Sequence, residues 1–142
     1  MLVYLDNCCF NRPFDEQSNL LVRLETEAKT LIQTEIRNKR IELVWSEMLD
    51  YENNDNPFLE RKVRIADWKL LSSVIVNVDD DIMEKVKFFA SCGLKSKDAF
   101  HVACAVYANA EFFITTDKGI LKKQIKEIEI INPIDFARKE LI

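Results

Sequence analysis

Met1-Leu2-Val3-Tyr4-Leu5-Asp6-Asn7 opens the chain and decides its fold. Leu2 to Leu5 form an uninterrupted apolar run of strand length, closed by an acid and an amide. A run without polar alternation predicts a strand buried on both faces, and so a parallel sheet with helices on either side. Such sheets bind ligands beyond the carboxyl ends of their strands. Asp6 falls at that edge, on what reads as the central strand.

Outward from this stretch, composition sets the frame. A chain of 142 residues with 48% apolar and 31% charged residues suits one domain, residues 1–142, with one core. Two glycines and three prolines leave little room for long linkers. The N-terminal run is too short for a signal peptide or membrane span, so a cytoplasmic protein is expected. The four cysteines, Cys8, Cys9, Cys92 and Cys104, contain no C-x-x-C pair and read as reduced thiols, mostly small core residues. A net charge of −4 provides no basic footprint for nucleic acid. Two bound divalent cations would cancel that charge.

The remaining segments alternate. Pro13 lies in an expected loop from Cys8 to Gln17, and Ser18 can cap a helix over about Asn19 to Asn38. There, Leu21, Leu24, Ala28, Leu31 and Ile32 make an apolar face, leaving Glu25, Lys29, Glu35 and Arg37 for water. Ile41 to Trp45 reads as the second strand, with Ser46 capping a helix that carries Glu47, Asp50 and Glu52. Asn56-Pro57 looks like the start of a further helix, with Leu59, Val63, Ala66 and Leu70 on its apolar side. Ser73 to Val78 is a third strand. Asp79-Asp80-Asp81 begins the next helix, where the dipole favours acids, and Gly93 ends it. Ser96 caps a helix from Lys97 to about Tyr107 that carries Asp98. Glu111 to Thr116 is a fourth strand, ending at Asp117 as the first ends at Asp6. A basic helix over Lys118 to Lys126, a short strand from Ile128 to Ile131 and a helical turn from Pro133 complete an α/β/α sandwich.

In a parallel sheet, Asp6 and Asp117 share one edge. The helix feeding the fourth strand runs antiparallel to it, which brings Asp98 to the same edge. Glu52 lies six residues beyond Ser46, a rise of roughly 9 Å, and can reach back. Glu47 competes with it for that role. Each acid alone has a plainer explanation: Asp98 and Asp117 suit helix N-termini, Asp6 a turn, Glu52 solvent. Gathered, they repel: two carboxylates about 4 Å apart cost roughly 4 kcal/mol at an effective dielectric near 20. Hard divalent ions such as Mg²⁺ or Mn²⁺ relieve that repulsion.

Val3 to Asn7, Ser46 to Glu52, Lys97-Asp98-Ala99-Phe100-His101-Val102-Ala103 and Phe113 to Asp117 occur in the order found in PIN-domain ribonucleases. The chain resembles that family, which includes toxins of bacterial toxin–antitoxin pairs. The resemblance implies a sheet of order 3-2-1-4-5 and Mg²⁺- or Mn²⁺-dependent cleavage of RNA phosphodiester bonds. It also implies an acidic set of Asp6, Glu52, Asp98 and Asp117, frequent homodimers and an antitoxin partner. It points to Thr115 or Thr116 as the small polar position beside the last acid, and Asn7 can orient a ligand. Asn7-Cys8-Cys9 departs from the small or hydroxyl residue usual after the first acid. Lys95, Lys97 and Lys118 flank the acids and can contact phosphates, though each also reads as an ordinary surface lysine. Lys122, Lys123 and Lys126 read as a solvated face.

Other chemistries fit less well. His101 is the only histidine and reads as a helix residue rather than a catalytic base. It shares a helix face with Cys104 and could join Cys8 or Cys9 around zinc, but the paired cysteine spacing of structural sites is missing. An aspartyl phosphatase would place a second acid where Cys8 stands. There is no glycine-rich phosphate loop. The alternative to a nuclease is a catalytically silent PIN-like module that binds RNA or a protein.

Overall fold

The computed structural model describes residues 1–142. Five parallel strands form one sheet in the order β3-β2-β1-β4-β5, as the resemblance implied. They are β1 (Leu2–Leu5), β2 (Glu42–Ser46), β3 (Val74–Val76), β4 (Phe112–Ile114) and β5 (Glu129–Ile131). β1 is central, pairing Val3 with Leu43 on one side and with Phe112 on the other. Val3, Tyr4 and Leu5 are wholly buried, which is why this strand has no polar alternation. Around the sheet stand α1 (Asn7–Asn11), α2 (Leu20–Arg37), α3 (Glu47–Asn54), α4 (Leu59–Asp67), α5 (Asp80–Ser91), α6 (Ser96–Tyr107), α7 (Lys118–Leu121) and α8 (Pro133–Glu140). No helix is long and apolar enough to cross a membrane.

Several boundaries moved, each for a local reason. The expected loop after Asp6 coils into α1 and a 3₁₀ turn over Arg12–Phe14, because Asp6 accepts the Asn7 N–H and caps the helix. Asn19, not Ser18, caps α2 by accepting the Val22 N–H. Asn56 forms a turn with Phe58 N–H, so α4 begins after Phe58 rather than at Pro57. Lys95 precedes α6 without a side-chain cap, and Ser96 is already helical. α7 stops at Leu121, well short of Lys126. Pro133 starts two turns of helix, not one. Gly93 holds φ +98° just past the end of α5, as expected of its position.

The largest departure is the rotation of α2. Its buried stripe is Glu25, Lys29, Ile32 and Ile36, while Leu21 and Leu24 lie exposed. That stripe is one residue, about 100°, away from the leucine-rich face. Glu25 explains the setting: its carboxylate accepts from Arg12 Nε at 3.0 Å and Asn132 Nδ2 at 3.1 Å, tying α2 to the 3₁₀ turn and the start of α8. Periodicity finds the apolar face but carries no information on polar partners brought in from residues 12 and 132. α4 likewise buries Ile65 and leaves Leu59 and Val63 in solvent.

Candidate functional site

Four segments deliver acids to the carboxyl edge around β1. Asp6 follows β1 directly and is itself largely buried. Its Oδ1 accepts the Asn7 N–H at 2.8 Å, and its Oδ2 accepts the Thr115 hydroxyl at 2.8 Å. Thr115 Oγ1 in turn accepts the Asp117 N–H at 3.0 Å, so one buried threonine links the acids that end β1 and β4. Asp117 caps α7: its Oδ1 accepts from Gly119 at 2.8 Å and Ile120 at 3.1 Å. Thr116 is also buried, but it points no hydroxyl at either acid.

Asp98 sits in the first turn of α6 without capping it. Burial raises the pKa of its carboxyl, and the charges of Asp6, Asp117 and Glu52 raise it further, while His101 pulls the other way. Asp6, Asp117 and Glu52 therefore lie near enough to Asp98 to act on its charge. Of the two acids considered on α3, Glu47 bonds the Val78 N–H at 2.7 Å, away from this neighbourhood. Glu52 faces it: Asn7 Nδ2 donates to Glu52 Oε2 at 3.3 Å, and His101 Nε2 bonds Glu52 Oε1.

His101 occupies the middle of this group. Its ring is buried, with Nε2 on Glu52 and 4.0 Å from Asp6 Oδ1, and Nδ1 2.5 Å from Tyr4 Oη. Tyr4 Oη is also 2.6 Å from Ser46 Oγ. Burial alone would lower the imidazole pKa, but the Glu52 bond and the fields of Asp6, Glu52 and Asp98 outweigh it and raise the value. Protonated on both nitrogens, the ring donates Nδ1–H to the phenol and the phenol donates to Ser46; protonated on Nε2 alone, it accepts the phenol hydrogen at Nδ1 and Ser46 donates to the phenol. Glu52 responds in kind: burial would raise its pKa, but the His101 bond and the charges of His101 and Lys97 hold it below the usual carboxylate value. Sequence reasoning undervalued His101, although its place three residues after Asp98, on the same helix face, was a usable signal. Cys8 was also undervalued: its Sγ lies 3.6 Å from Asp6 Oδ2 and 3.5 Å from Thr115 Oγ1.

The lysines divide differently from expectation. Lys95, Asp98, Asp117, Lys122 and Lys123 line one cavity of about 280 Å³, with Lys122 and Lys123 exposed beyond the end of α7. Lys97 lies 5.8 Å above the Tyr51 ring, near enough to Glu52 to act on its charge. Lys118 is exposed at the start of α7.

The donor set has the chemistry of a hard-cation site: carboxylate oxygens, a hydroxyl, and Asn7 Oδ1, which is buried without a hydrogen-bond partner. As the side chains stand, no three of the acids, histidine or cysteines converge on one point that could hold a metal ion. Glu52 is engaged by His101, and Oδ1 of Asp117 by its helix.

No protein-family model matches the chain, and no curated protein matches it in sequence. In structure it is similar to a chain of VapBC2 from Rickettsia felis bound to a DNA fragment from its promoter. That match has TM-score 0.56 at 13% identity and covers 93% of this chain and 98% of the other. It is also similar to a chain of DNA-bound VapBC from Salmonella typhimurium, with TM-score 0.57 at 14% identity over 94% and 99% of the two chains. The likeness is one of fold: this is a PIN-like α/β/α sandwich.

Proposed function

We propose that the chain is a Mg²⁺- or Mn²⁺-dependent endoribonuclease, acting in the cytoplasm as the toxin of a toxin–antitoxin pair. What supports this reading is the convergence of the charges of Asp6, Glu52 and Asp117 on Asp98, acids far apart in sequence brought together around the carboxyl edge of a PIN-like sheet. A hard ion bound there supplies Lewis-acid stabilisation of charge developing on a phosphodiester. The chain's own residues do the rest. Thr115 holds Asp6 in register with Asp117. Asn7 and His101 aim Glu52. Asp98 carries a carboxylate disfavoured by burial and by the charges of Asp6, Asp117 and Glu52, a repulsion that a bound cation would relieve. Lys95, Lys97 and Lys118, joined by Lys122 and Lys123, are placed to contact RNA phosphates near the acids. Exposed Leu20, Leu21 and Leu24 on α2, and Phe58, Leu59 and Val63 on and before α4, support an antitoxin partner, which would cover them. A homodimer belongs to the same reading.

A second reading is favoured by His101: with Glu52 so engaged and no three ligands converging, the chain is a silent PIN-like module that binds RNA or a protein. Cleavage of several RNAs in Mn²⁺ or Mg²⁺, with and without chelator, separates the two. The nuclease reading expects cleavage that chelator and Asp98→Asn both abolish. Chelator-resistant cleavage, or an equally active Asp98→Asn, rejects it, and persistent inactivity favours the silent module.

A further inference from the structure

The rotation of α2 buries a lysine that has no carboxylate partner. Lys29 is 4% exposed, yet its ammonium joins none of the molecule's ion pairs. The Phe10 and Trp68 rings, 5.8 and 5.9 Å away, offset only part of the loss of water. The ammonium lines a cleft of about 470 Å³ between α2 and residues 64–71, a size typical of small-molecule sites. Gln33 Nε2, on the same wall, is buried with no acceptor. Arg37 stacks on Trp68 with 4.9 Å between guanidinium and ring and has no carboxylate partner. Arg64 stands at the rim, 3.1 Å from Glu60. Asp67 is the one acid lining the cleft, and it pairs with none of these cations. Burial lowers the Lys29 pKa to about 8, opposed by Cys9 and reinforced by Arg37.

We propose that this cleft binds a phosphate monoester of nucleotide size, anchored by Lys29. Its walls offer donors from Lys29, Gln33, Arg37 and Arg64 against a single carboxylate, Asp67, a net positive lining that favours an acceptor-rich anion. A phosphate monoester presents three terminal oxygens to four donor groups, where a carboxylate presents two. The flanks of Phe10, Phe14 and Trp68 suit the organic part of such a ligand. None of Asp6, Glu52, Asp98 or Asp117 lines the cleft, so the site is separate from the acidic one and does not depend on the nuclease reading.

The experiment is calorimetric titration of the full chain at pH 7 with inorganic phosphate, AMP, and an RNA oligonucleotide with and without a 5′-phosphate. AMP is expected to bind and raise Tm. Lys29→Met is expected to weaken binding at least tenfold, and Arg64→Met several-fold. Without ligand, Lys29→Met should melt no lower than the parent, because the ammonium it removes is unpaired. Binding of AMP alone assigns the site to a free nucleotide, and preference for the 5′-phosphorylated RNA assigns it to an RNA end. In the parent, NMR titration of the Lys29 side chain should show its pKa rising on AMP addition, a readout that stands even if Lys29→Met fails to fold. Phosphate binding with no gain from AMP marks an adventitious ion only and overturns the proposal. So does the absence of binding at millimolar AMP, or equal binding by Lys29→Met.

Discussion

Replacing Tyr4 with phenylalanine isolates one hydroxyl at the centre of the molecule. The ring is fully buried on β1 and stacked on Phe113, with centroids 5.2 Å apart, so phenylalanine fills the same volume. Two hydrogen bonds disappear, at 2.6 Å to Ser46 and 2.5 Å to His101. Ser46 Oγ keeps the Leu49 N–H at 3.2 Å and is not stranded. His101 Nδ1 has no other partner, and its ring is 1% exposed. Stranding one buried ring nitrogen costs about 2–3 kcal/mol, at the upper end for such groups. At roughly 2–4 °C per kcal/mol for a chain of this size, Tm should fall by about 4–12 °C. Thermal denaturation followed by circular dichroism at pH 7 measures this. A Tyr4→Phe/His101→Gln double-mutant cycle should show coupling of at least about 0.5 kcal/mol. RNA cleavage should fall as well, through kcat more than KM, because Glu52 loses the residue that aims it. A Tm within 2 °C of the parent, or additive single effects, would refute the claim that a buried Ser46–Tyr4–His101–Glu52 chain organises the site.

Three further outcomes are expected. Asp98→Asn should leave metal-free melting at pH 7 unchanged or raise it, since the folded state disfavours the ionised Asp98. The raised pKa means this cost is present at neutral pH and disappears as pH falls towards the ordinary value of 3.8, so parent and variant should converge there; a large drop in Tm at pH 7 would mark Asp98 as structural. Thr115→Val removes the hydroxyl that serves both Asp6 and Asp117; cleavage should fall about 10–100-fold, as for residues that orient metal ligands, while near-parent rates would deny Thr115 that role. Glu25→Leu strands Arg12 and Asn132, but Arg12 retains Asp15 at 2.9 Å, so urea denaturation should show a loss of about 2–4 kcal/mol. A neutral result there would deny that Glu25 sets the rotation of α2.

The order of elements was legible in the chain because strands buried on both faces and amphipathic helices leave local, periodic traces. Leu2 to Leu5 fixed the central strand, and the acids after β1 and β4 were placed at one edge by the geometry of parallel strands alone. What only the tertiary structure decided concerns partners distant in sequence. Glu25 and Lys29 turned inward because Arg12 and Asn132 draw one of them, against the apolar pattern of α2. Glu52 rather than Glu47 faces Asp6 because His101, held by Tyr4 of β1, receives it. A hydrophobic side chain announces its burial by type and spacing, whereas the burial of a charge such as Glu25 depends on partners that the fold brings from elsewhere in the chain.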